Sequence, residues 1–173
     1  MKLRAFRKDQ EGAATVDFVV IFPIFFLTIM TFFEAGWFMA KSAMLDRGME
    51  TAIRDLRVGV YSNPTPALIR QRVCAAAVIF DDCDNSLMVE LTPINNSSDF
   101  PSDGADCVDR SLAVALRPKD DFTPGARSEV MFVRVCAVED PLKPPVGLGL
   151  RLTSYRTVGG RMIAYSAFVI EPD

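Results

Sequence analysis

Charged and apolar positions are spread unevenly along the chain. Residues 18–33 are sixteen in succession without a charge, and extending the run through Glu34 to residue 40 gives twenty-three with one carboxylate. About 20 apolar residues cross a bilayer as a helix, so the pattern predicts a transmembrane helix over 13–40. Trp37 suits the far interface. Beyond it the pattern becomes a stripe. Met44, Leu45, Met49, Ala52, Ile53, Leu56 and Val60 recur at three-to-four residue intervals, with Lys41, Asp46, Arg47, Glu50, Arg54, Asp55 and Arg57 on the opposite face. That spacing predicts an amphipathic continuation of the same helix over 41–58. Gly36 and Gly48 are weak points but not breaks. One helix over 13–57 would have 45 residues and measure about 68 Å at 1.5 Å per residue. Pro23 interrupts its ladder, because it offers no N–H to the carbonyl of Val19. Apolar continuity on both sides predicts a kink there rather than an end.

After the turn "YSNPTP", the segment "TPALIRQRVCAAAVI" has Pro66 at a first-turn position and a helical apolar pattern. It predicts a short helix ending near "FDDCDN". Four strand candidates follow: "SLMVELTPI", "SLAVALRP", "EVMFVRVCAV" and "GRMIAYSAFVI". Each alternates or is rich in β-branched and aromatic residues, between Pro, Gly, Asn and Asp clusters. The expected class is α+β: a three- or four-stranded antiparallel sheet over 59–173, packed on the upper part of the long helix. The loops at 95–107 and from Glu139 onward are long for simple connections.

Composition changes the picture in three ways. Net charge is -3 and no basic stripe appears, which argues against a nucleic-acid partner. There is no histidine, so the commonest general base and metal ligand are both missing. The four cysteines, Cys74, Cys83, Cys107 and Cys136, all lie beyond the apolar run and lack C-x-x-C spacing. An even count fits two disulfides in an oxidising compartment. Three pairings are open, of which Cys74–Cys83 with Cys107–Cys136 is favoured.

Lys2, Arg4, Arg7 and Lys8 outweigh Asp9 and Glu11 ahead of the apolar run. That imbalance places the N-terminus in the cytoplasm and exports the cysteines. A cleaved secretory signal fits poorly: the apolar core exceeds the usual 7–15 residues, and "EAGWFMAK" is an indifferent cleavage site. The better junction precedes the run, at Gly12–Ala13. Asp17 then stands five positions past the cut, and a carboxylate within a span costs about 2.5–3.5 kcal/mol at the helix centre. Cleavage after Gly12 would free an amine on Ala13, one helical turn from Asp17 and on the same face. Either that amine neutralises Asp17, in its own chain or a neighbour's, or Asp17 is a helix start at headgroup level.

The stretch "DQEGAATVDFVVIFPIFFLTIM" resembles the start of TadE-like pseudopilins of the tight-adherence (Tad, Flp-type) branch of type IV pili. The likeness extends into "LDRGMETAIRDLRVG" and the closing "GGRMIAYSAFVIEPD". It implies a pilin-like plan, a leader over 1–12 removed by a prepilin peptidase, and Gly12, Ala13, Asp17 and Phe18 as last leader residue, new N-terminus, acid and its neighbour. The family usually has glutamate where Asp17 stands, longer by one methylene. The resemblance further implies other Tad pilins as partners through the N-terminal helix, an inner-membrane assembly platform, and a role in adhesion and biofilm formation. The competing reading is an uncleaved, signal-anchored domain that binds an envelope partner.

No catalytic constellation, cofactor or metal site emerges from the residues. Asp81, Asp82 and Asp84 lack the central glycine and closing glutamate of a calcium loop. Asp99, Asp103, Asp106 and Asp109 read as loop-solubilising. "VGLGLR" has no strand-glycine-helix setting for a nucleotide, and Asn96 in "NSS" matches only a eukaryotic glycosylation acceptor.

Overall fold

The computed structural model describes residues 11–80, 82–100, 107–108, 121–139 and 160–171. Helix α1, Glu11–Arg57, runs 47 residues and passes through Pro23 without ending. It stops at a glycine cap. Gly59 adopts φ +69°, its N–H reaches the carbonyl of Leu56 at 3.2 Å, and that of Val60 reaches Asp55 at 3.0 Å. This six-to-one and five-to-two pattern satisfies the last carbonyls and needs a residue at ease in the left-handed region. It also corrects one expectation. Val60 continues the apolar stripe in sequence but lies past the cap and is 60% exposed.

Helix α2, Pro66–Ala76, starts as its sequence predicts, with Pro66 in the first turn and the Thr65 hydroxyl accepting the Leu68 N–H at 3.3 Å. A single-turn helix α3, Cys83–Ser86, leads directly into β1, Leu87–Pro93. Asn96 and Asp99 then form a reciprocal cap on a 3-10 turn, Ser97–Asp99. Strands β2, Val130–Glu139, and β3, Gly160–Val169, complete an antiparallel sheet in the order β1-β2-β3. Leu87 faces Ala137 and Pro93 faces Met131 in the first ladder; Val130 faces Val169 and Glu139 faces Gly160 in the second. The chain at Phe122 makes one parallel bridge to Leu91 on the outer side of β1. Three of the four expected strands are therefore present, and the candidate at 111–118 lies outside the described residues.

The sheet buries one face against the helices. Val89 and Leu91 of β1, Met131, Val133 and Val135 of β2, and Met162, Ala164 and Phe168 of β3 join Leu45, Met49, Ala52, Ile53 and Leu56 of α1 and Ile69 and Val73 of α2 in one core. Strand β3 shows the expected period of two, buried positions alternating with exposed ones over most of its length. On the other face, Phe100 packs edge-on to Phe132 at 5.8 Å, and Cys107 lies with Cys136 and Val138 in a small second cluster. Disulfides join Cys74 to Cys83 and Cys107 to Cys136, with Cα separations of 5.7 and 5.6 Å. The first ties α2 to α3; the second holds residue 107 to β2.

Two residues of α1 have partners that its own sequence does not reveal. Gly48 lies so close to α2 that an added Cβ would stand 2.8 Å from the Val73 carbonyl oxygen and 3.2 Å from Ala77 Cβ. Lys41, expected on the solvated face, is only 9% exposed. Its Nζ donates to Glu139 Oε2 at 2.7 Å and lies over the rings of Trp37 and Phe80 at 5.8 and 5.7 Å. On a helical wheel at 100° per residue, Lys41 stands about 40° from Leu45, inside the buried arc, whereas Met44 stands about 100° away. Met44 is accordingly 38% exposed.

Candidate functional site

The candidate site is the first half of α1. Gly12 and Ala13 fall inside the helix rather than in a loop before it. Asp17 and Phe18 are both exposed, Phe18 at 61%. Between Val16 and Phe33 no apolar side chain is buried, and Phe18, Ile21, Ile24 and Phe25 are all 60% exposed or more. Fully burying one such side chain is worth about 1.5–3 kcal/mol, so this surface favours an apolar environment that the described residues do not supply. The helix is long and apolar enough to cross a membrane.

Its interior chemistry suits that environment. The Thr28 hydroxyl donates to the Ile24 carbonyl at 2.8 Å and the Thr31 hydroxyl to Leu27 at 2.9 Å. Both polar groups are thereby satisfied within the helix, as a lipid or protein surround demands. Phe18, Phe22 and Phe26 stack at successive four-residue steps, with ring centroids 5.0 and 6.1 Å apart. They form an aromatic ridge along one side. Pro23 lies within this segment, one residue past Phe22.

The second half of α1 holds the domain in place. Asp55 Oδ2 accepts from Arg72 Nε at 2.6 Å and from the Tyr61 hydroxyl at 3.4 Å. That hydrogen bond and the carboxylate charge hold the Arg72 guanidinium above its ordinary pKa. At the end of the helix, Arg57 pairs with Glu171 at 2.9 Å, and the Glu171 N–H reaches the Arg57 carbonyl. Asp99 is more than a solubilising charge: its carboxylate accepts the N–H groups of Asn95 and Asn96 at 2.9 and 2.8 Å. Those bonds hold it below the usual carboxylate range. Among the described residues, no cluster of acidic or cysteine side chains is arranged to hold a metal.

Residues 12–54 match the model of the TadE-like protein family. The match begins at the glycine of the expected junction and ends within the last turn of α1, so it rests on the helix and not on the sheet. The match spans about a quarter of the chain and likens that segment to TadE-like proteins. No curated protein and no solved structure matches the chain. Taken with the exposed apolar helix, the TadE-like match supports membrane anchoring through α1.

Proposed function

We propose that the protein is a minor pilin or pseudopilin that acts in priming or tip assembly of a Tad-type type IV pilus used for adhesion and biofilm formation. The observation that carries this reading is the coincidence of the TadE-like match with the apolar half of α1, which has no partner within the described chain. In this account a prepilin peptidase removes residues 1–12 between Gly12 and Ala13. The helix over 13–40 then sits in the bacterial inner membrane, N-terminus cytoplasmic, with the disulfide-bonded domain in the periplasm. From there the chain enters the pilus through the assembly platform. Extraction from lipid into a filament loses little, because Phe18, Phe22 and Phe26 exchange acyl chains for neighbouring pilin helices.

Asp17 supplies register. Once Ala13 carries a free amine, the carboxylate has a cation within one turn of its own helix or on the neighbour it packs against, and an unpaired acid in that environment is costly. Pro23 leaves the Val19 carbonyl without its usual donor, which lets the helix bend where subunits meet.

Photo-crosslinking tests the reading. A crosslinker placed at Phe22 in the full chain, expressed with the other Tad components, is expected to trap pilin helices. One placed at Arg47, on the solvated side of the upper helix, is expected to trap none. Crosslinks from Phe22 to lipid alone would instead leave a signal-anchored domain that never joins a filament. A companion variant, Asp17→Asn, should still be cleaved yet assemble poorly; unimpaired assembly would return Asp17 to a helix start at headgroup level.

A further inference from the structure

Strand β3 is the last of the sheet, and among the described residues no strand pairs with its outer edge. The ladder shows which way its backbone groups point. The Ile94 N–H bonds the Val130 carbonyl, so Val130 faces β1, and Val169, opposite it, turns its N–H and C=O away from β2. By alternation the same holds for Arg161, Ile163, Tyr165 and Ala167. Natural edges are usually guarded by charge, proline or a bulge. From 161 to 169 the register is unbroken, and Arg161 at one end is the only charge.

The surfaces on either side of that edge are incomplete as well. On the outer face Ile163, Tyr165 and Val169 are 40%, 70% and 46% exposed. On the inner face α1 lies against β3 and α2 against β1. Glu50 and Arg57 stand about 200° and 180° around the helical wheel from Gly48, which faces α2. They therefore mark the side of α1 toward the free edge. There a groove of about 460 Å³ is lined by Glu50, Ile53, Arg54, Arg57, Ser166 and Glu171. One extended segment laid along β3 would pair the backbone, cover the outer side chains and fill the groove.

The chain supplies such a segment. Residues 140–159, between β2 and β3, lie outside the described residues; their sequence and their attachment at Gly160 name the occupant. "LTSYRTV", residues 152–158, is rich in β-branched and aromatic residues and meets β3 through Gly159 and Gly160, the composition of a two-residue hairpin turn. Such a turn makes its flanking residues, Val158 and Arg161, a hydrogen-bonded pair, and Arg161 is one of the positions whose backbone groups point to the free side. That register sets Arg156 opposite Ile163, Ser154 opposite Tyr165 and Leu152 opposite Ala167. The intervening Thr153, Tyr155 and Thr157 alternate to the α1 side. Residues 140–151 number twelve, about the dozen that a crossover needs to carry the chain from the end of β2 back up the sheet.

We infer that residues 152–158 occupy the free edge of β3 as a fourth strand, antiparallel to it and turning at Gly159 and Gly160. With that edge paired inside the chain, the sheet offers no template to a second copy, and subunits are left to meet through α1. The inference does not depend on the pilus reading, and its failure would leave that reading standing.

Register-specific cysteine pairing tests it in the full-length chain in detergent, where the native cysteines are all held in disulfides. Ser154→Cys combined with Tyr165→Cys is expected to join within one chain under mild oxidation, mapped by peptide mass. Opposite residues of a hydrogen-bonded pair lie about 5.5 Å apart at Cα, inside the range of about 4.4–6.8 Å that a disulfide spans. Thr153→Cys combined with Tyr165→Cys, one residue out of register, is expected to stay reduced. Equal joining of both pairs would show a segment without register and overturn the strand. A link between two chains through position 165 would make a second copy the occupant and overturn it too, as would no link at all. Amide exchange in the unaltered chain is the second measure. The N–H groups of Ile163, Tyr165 and Ala167 should exchange at least about tenfold slower than unstructured amides; exchange at the unstructured rate would mean a bare edge and contradict the inference.

Discussion

The two halves of α1 share one backbone but differ in where their apolar surface is satisfied. Leu45 and Ala52 are 1% and 2% exposed under α2 and the sheet, while Val16 and Phe25 are 63% and 60% exposed. The upper half has polar residues between its apolar ones and finds its partners in the same chain. The lower half is apolar all round, and such a helix is stable only where its surroundings are apolar too. On the proposed function the difference separates folding from assembly: the upper half carries the contacts of the domain, and the lower half is left to contacts outside it.

Substitutions in the two halves should therefore give opposite phenotypes. Leu45→Ala removes a fully buried side chain and is expected to destabilise the domain by about 2–5 kcal/mol, read as a lower denaturation midpoint. Phe25→Ala, a larger truncation, should leave that midpoint unchanged in detergent while weakening crosslinking to other pilin helices. A comparable stability loss from both would erase the distinction.

Next in size is Lys41→Met. It strands Glu139, whose side chain is 17% exposed, and should cost about 1.5–3 kcal/mol. The double variant with Glu139→Leu should recover part of that loss, since two apolar side chains need no pairing. No recovery would mean that Lys41 acts mainly through Trp37 and Phe80. Gly48→Ala is expected to cost less. Crowding against the Val73 carbonyl destabilises by about 1–3 kcal/mol, and the better helix propensity of alanine offsets about 1 kcal/mol of it. An unchanged or raised midpoint would show that α2 can retreat from α1.

The smallest effect is local. Folding favours the charged form of Asp99, so its cap is fully present above the ordinary value of 3.8 and is lost as pH falls through the lower folded value. Amide exchange at Asn95 and Asn96 should quicken over that acidic window and stay flat above it. In Asp99→Asn, exchange should be fast throughout, with the domain midpoint unmoved.

What was legible in the sequence follows the same division. An unbroken apolar run announces a helix that needs outside company, and period-two alternation announces β3; both are local signals. In the sequence Lys41 reads as solvated because its partner, Glu139, is 98 residues away, and because a polar residue within a buried arc looks like part of the polar face. Gly48 read as a weak point, since nothing local tells a tolerated glycine from one that admits a neighbouring helix. Val60 continues the stripe in sequence because the apolar spacing runs on past Gly59, whose left-handed conformation ends the helix. The acidic loops read as solubilising, yet Asp99 is a cap, a role that only the positions of Asn95 and Asn96 reveal. For the lower half the sequence carried more, because among the described residues nothing distant in the chain packs on the apolar side chains between Val16 and Phe33.

The central claim is that the lower half of α1 is a processed pilin helix. Intact-mass and N-terminal peptide analysis of the protein, extracted from membranes of cells with an active prepilin peptidase, tests it most directly. The account predicts a chain beginning at Ala13. A chain still carrying Met1 through Gly12 in those cells would contradict it.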